Sequence, residues 1–87
     1  MRMRKTDLST WSPSETDVQW LTNLMNLIKE GGTWGIPATN QVFIKSGNAL
    51  VHKPDNPAND DEKERCEVML HMVTKVAEAA GLEVKEE

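Results

Sequence analysis

Gln41-Val42-Phe43-Ile44-Lys45, then Ser46-Gly47-Asn48, then Ala49-Leu50-Val51-His52-Lys53 decide the fold. The first run is β-branched and aromatic and reads as a strand. The middle three residues accept the positive φ of a tight turn. The last run returns, so the whole reads as a β-hairpin. Upstream, Trp34 and Ile36 predict a short strand that Pro37 stops, and downstream Pro54-Asp55-Asn56-Pro57 is a loop that cannot continue a ladder. Alternate strand residues share a face, so Phe43 and Lys45 lie opposite Val42 and Ile44. One of these pairs points away from any covering helix. An exposed Phe43 or Val51 would favour a second subunit or a ligand.

Helices flank the hairpin. Ser12-Pro13-Ser14-Glu15 predicts a helix start, with Ser12 as cap, Pro13 at the first helical position and Glu15 closing a capping box. Val18, Leu21, Met25 and Ile28 then recur at helical spacing, widened by Trp20, Leu24 and Leu27. Gly31-Gly32 ends this helix, placed at about residues 13–30. Asn59 caps a second helix with Glu62 three residues on, and an acidic first turn suits the helix dipole. Cys66, Met69, Val73, Val76 and Ala80 form its apolar face, Gly81 stops it, and Leu82-Glu83-Val84 predicts a last strand. The order α-β-β-β-α-β predicts an α+β two-layer sandwich. Two amphipathic helices cover one face of a three- or four-stranded, mostly antiparallel sheet. Residues 1–11 read as a flexible basic tail and 12–87 as a single domain.

Composition narrows the function classes. The chain has 87 residues, one Cys, two His, three Trp and no Tyr, with 10 Lys plus Arg against 14 Asp plus Glu, a net of −4. A lone Cys excludes an internal disulfide framework. No apolar run approaches the ~18 residues of a membrane span. Arg2, Arg4 and Lys5 sit in the tail; without them 7 basic residues face 14 acidic ones, a net of −7. An acidic body argues against direct nucleic-acid binding through phosphates. No apolar stretch follows the basic start as a secretory leader requires, and the lone thiol needs no oxidising compartment, so a cytoplasmic location is expected.

Gly31-Gly32-Thr33-Trp34-Gly35-Ile36-Pro37 is the most unusual stretch. Its glycines follow a helix and so stand at the negative end of the dipole, which opposes a phosphate cradle. The segment reads as a helix C-cap and turn with Trp34 packed on the sheet, or else with Trp34 as a stacking or interface residue, whereas Trp20 falls beside the apolar stripe and reads as core. Cys66 lies on an apolar helix face and reads as a structural thiol. His71 shares a solvated face with Glu67 and Lys75, and His52 ends a strand; no third or fourth ligand accompanies them, so no metal site is expected. Asp60 and Asp61 are adjacent on a helix and cannot flank one substrate atom, so they read as capping residues. Lys45, Lys53 and Arg65 are the donors an anionic ligand would meet. The candidate binding set is therefore Trp34, Gly35, Phe43, Lys45, Lys53 and Arg65, with no catalytic residue and no cofactor.

The glycine–tryptophan–proline segment, followed by Val42-Phe43, Leu50 and a late helix ending in Ala79-Ala80-Gly81-Leu82-Glu83-Val84, resembles a group of small proteins encoded by bacteriophages and their bacterial hosts. The resemblance spans about residues 18–84 and brings no catalytic motif. It implies action by binding, either by blocking a host defence protein or by sequestering a defence signal. The combined expectation is a non-catalytic homo-oligomeric protein that sequesters a nucleotide-like molecule beside Trp34. One alternative is an inhibitor that presents its acidic surface to a basic host protein handling nucleic acid. The other is a small enzyme acting at a subunit interface.

Overall fold

A computed structural model describes residues 4–87. Helix α1 (Glu15–Leu27) leads into strands β1 (Thr33–Ile36), β2 (Gln41–Ser46) and β3 (Ala49–His52), followed by helix α2 (Asp60–Ala79) and strand β4 (Glu83–Glu86). The strands lie in the order β1-β2-β3-β4. The first three pair antiparallel, and β4 pairs parallel to β3 after the α2 crossover. This is the expected α+β architecture, with all four strands present. Among the described residues no helix is long and apolar enough to cross a membrane.

Register settles which face is covered. Trp34 stands opposite Phe43 and Phe43 opposite His52, so these three side chains share a face with Leu50's neighbour Lys45. Phe43 and Leu50 are fully buried under Leu21 and Met25 of α1 and Val73, Val76 and Ala77 of α2. Val42, Ile44 and Val51 point the other way and are half-buried. Phe43 is therefore a core residue, and Val51 belongs to the open face.

The ends of α1 differ from expectation. Its cap is Ser14, not Ser12: Ser14 Oγ accepts from the Asp17 N–H at 3.2 Å and Asp17 Oδ2 accepts from the Ser14 N–H at 3.0 Å. Ser14-x-x-Asp17 fits the same reciprocal box as Ser12 with Glu15, and it leaves Pro13 outside the helix. At the other end Ile28 is already extended (φ −86°, ψ 132°). Lys45 Nζ donates to the carbonyls of Met25 at 2.6 Å and Ile28 at 2.9 Å. A cation on β2 thus satisfies the carbonyls of the terminal turn, ahead of the two glycines. Those glycines form a bulge instead. The Gly31 N–H donates to Lys45 O and the Lys45 N–H to Gly32 O, with Gly31 at φ +79°.

The basic tail also needs correction. Lys5–Asp7 form a short 3-10 turn, Lys5 pairs with Glu67 on α2, and Trp11 packs against the core. The domain therefore takes in residues 4–11. An acidic partner on α2 and a large indole give this segment a place to dock. The part of the tail expectation that concerns Met1, Arg2 and Met3 lies outside the described residues.

Candidate binding groove

The three tryptophans come from three segments and meet at one groove of about 300 Å³. Trp11 enters from the N-terminal segment. Asp17, Trp20 and Leu21 enter from α1, Met69, Met72, Val73 and Val76 from α2, and Trp34 through Pro37 from β1 and its exit. Each is placed by periodicity. Leu21 faces the core, and Asp17 lies one turn before it. Met69, Met72, Val73 and Val76 follow the i, i+3, i+4, i+7 row of α2. Trp34 alternates with Gly35 on β1, so its ring turns inward beside Phe43.

Aromatic contacts fix the indoles. Trp34 stacks on Phe43 with centroids 5.3 Å apart and an interplanar angle of 27°. Trp20 meets Trp34 edge-on at 5.6 Å and 69°. Such pairs contribute roughly 0.5–1.5 kcal/mol each beyond area burial. Phe43 is the floor. Trp34 is half-buried, with one ring face taken by Phe43. Trp20, expected in the core, is 53% exposed, because it sits at the edge of the apolar stripe beside Leu21. The groove carries a single charged residue, Asp17, whose Oδ2 also accepts from Ser14 Oγ at 3.0 Å.

Of the six residues singled out by sequence, Trp34 and Gly35 line this groove and Phe43 lies beneath it. The three cations are elsewhere. Lys45 is bonded to the end of α1. Arg65 pairs with Asp61 one turn away at 3.4 Å and borders a small cleft with Asn40 and Glu62. Lys53 is exposed just past β3. None of the three basic residues lines the groove, so the expected anion-facing set is not assembled beside Trp34.

Sequence reading missed a buried polar cluster at the far end of the sheet. His52 is 2% exposed and packs on Phe43, with ring centroids 5.0 Å apart. Its Nδ1 lies 2.9 Å from Glu86 Oε2, and its Nε2 lies 3.0 Å from Asp55 Oδ1. Both bonds are donated at once only when both ring nitrogens carry protons. Gln41 completes the cluster: its Nε2 donates to Cys66 O at 3.1 Å, and its Oε1 accepts from Thr39 Oγ1 at 2.6 Å. Burial pushes the Cys66 thiol up from its ordinary value, and the Asp55 carboxylate adds to the effect. Cys66 is therefore a packed thiol, not a poised thiolate. The one available signal was register: His52 stands opposite inward-facing Phe43. Glu86 and Asp55 lie at opposite nitrogens of the His52 ring, and among the described residues no group of three or more His, Cys, Asp or Glu side chains is placed to hold a metal ion.

Compared with protein-family models, with curated proteins and with solved structures, the chain matches none.

Proposed function

We propose that this protein is a non-catalytic binding module that engages its partner through the three-tryptophan groove. The observation that carries this reading is the groove's chemistry: of its lining residues only Asp17 is charged, and that charge is negative. An apolar side chain fully buried there gains roughly 1.5–3 kcal/mol. A phosphate would meet a carboxylate and no cation. The expected sequestration of a nucleotide-like molecule therefore draws less support than a protein inhibitor, with the contact moved from the acidic surface of the first expectation to apolar groups of the partner that fill the groove. The resemblance to phage-encoded proteins supplies a context where such a module would block a defence protein. Self-association has a second apolar surface on the open sheet face, where Val42, Ile44 and Val51 are half-buried.

Trp20→Ala tests the groove with little risk to the fold, since the indole is already half in solvent. Mass spectrometry of the natively purified protein is expected to show a bound partner on the wild type and none on the variant. A partner kept in full by the variant would contradict the reading.

A further inference from the structure

Strand β1 is one edge of the sheet, and β4 is the other. Exposed edges invite strand addition, and most proteins blunt them with charge. The β4 edge is blunted: Glu83, Lys85 and Glu86 stand along it, with Lys85 and Glu83 paired at 3.7 Å. The β1 edge, Thr33-Trp34-Gly35-Ile36, carries no charge at all.

Its backbone is also unused. The Lys45 N–H bonds Gly32 O, which sets the alternation of the antiparallel ladder. Trp34 and Ile36 therefore exchange bonds with Phe43 and Gln41, while the N–H and C=O groups of Thr33 and Gly35 point outward. Among the described residues nothing accepts from or donates to those outward groups. The edge borders the tryptophan groove directly, because Trp34, Gly35 and Ile36 line it.

Resting on the groove reading above, we infer that β1 takes up an extended segment of a partner protein as a fifth strand. The segment bonds to Thr33 and Gly35 and sets alternate apolar side chains beside Trp34 and Ile36. Charge chooses the occupant. The groove's Asp17 and the chain's net −4 call for a segment carrying Lys or Arg and oppose a second copy of this acidic chain. The four residues of β1 limit the added strand to about four paired residues, bonded through Thr33 and Gly35, and Pro37 closes the ladder at its end.

The test uses the capped heptapeptide Lys-Leu-Thr-Leu-Thr-Leu-Lys, its analogue N-methylated at alternate residues, and its analogue with Glu for both Lys. Each is titrated into the full chain by NMR, on wild type and Trp20→Ala. The inference expects the Lys peptide to slow exchange at the Thr33 and Gly35 amides. N-methylation at the bonding positions should weaken it about tenfold or more, and the Glu version should bind more weakly. Equal binding by the N-methylated peptide, with sensitivity to Trp20→Ala retained, overturns the strand addition and leaves the groove standing. Binding indifferent to Trp20→Ala, or no binding, overturns both. Protection of the Thr33 and Gly35 amides that grows with protein concentration alone assigns the edge to a second copy and overturns the choice of partner.

Discussion

His52 shows how much one residue can hold. It joins β3 to the loop through Asp55, to β4 through Glu86 and to the core through Phe43. His52→Ala removes a buried ring from its place on Phe43 together with its bonds to Asp55 and Glu86, so about 3 kcal/mol of stability should be lost in a urea titration. A loss under about 1 kcal/mol would show that the cluster holds little. Beyond the register of His52 with Phe43, none of this was legible beforehand, because Gln41, His52, Asp55 and Glu86 are scattered over 46 positions of sequence and only folding gathers them. Cys66 was legible, since its place on an apolar helical row announced burial. With its thiol pushed up, it should react with iodoacetamide at least about tenfold slower in the native protein than in denaturant. Equal rates would contradict the packed position.

The elements were easier to read than their ends. Hairpin and helices follow from periods of 2 and 3.6, and these survive any tertiary setting. Helix termini depend on partners from elsewhere, and so the stop of α1 was misplaced. Nothing local to residues 25–30 says that Lys45 will reach their carbonyls. Lys45→Met keeps the aliphatic stem and removes both bonds. It should cost about 1–2 kcal/mol and speed amide exchange in the last turn of α1. Unchanged exchange there would mean the glycines, and not Lys45, close the helix. The N-terminal segment was hidden for the same reason, because Glu67, the anchor of Lys5, is 62 positions further along the sequence. The hydrogen bond from Lys5 holds the Glu67 carboxyl below the usual range, and the same bond raises Lys5. A lowered carboxyl stabilises above its unfolded value and loses that contribution as pH falls through the folded one. The segment should therefore detach on acidification through and below the carboxylate range, before the core unfolds, seen as early proteolysis within residues 4–11. On the alkaline side the raised lysine keeps the contact until pH passes its folded value. Segment loss only together with global unfolding would contradict this.

For the whole molecule, the placing of charge decides the reading of the site. The sequence singled out Trp34, which lines the groove, together with three cations that do not. Lys45, Lys53 and Arg65 were grouped by sign, yet none of them lines the groove, where the charged residue is Asp17. Trp11 and Trp20 were assigned to tail and core, yet both line the groove with Trp34. Sign and residue type are visible in a sequence, whereas convergence depends on how the sheet and the two helices close on one another. The central claim is that the groove takes apolar groups and refuses phosphates. The most direct measurement is an NMR titration that follows the three indole N–H signals, first with N-acetyl-leucinamide and then with adenosine monophosphate, each at millimolar concentration. The account predicts that the leucine amide shifts the Trp20 and Trp34 signals and that the nucleotide leaves them in place. Saturable shifts with the nucleotide, and none with the leucine amide, would contradict it.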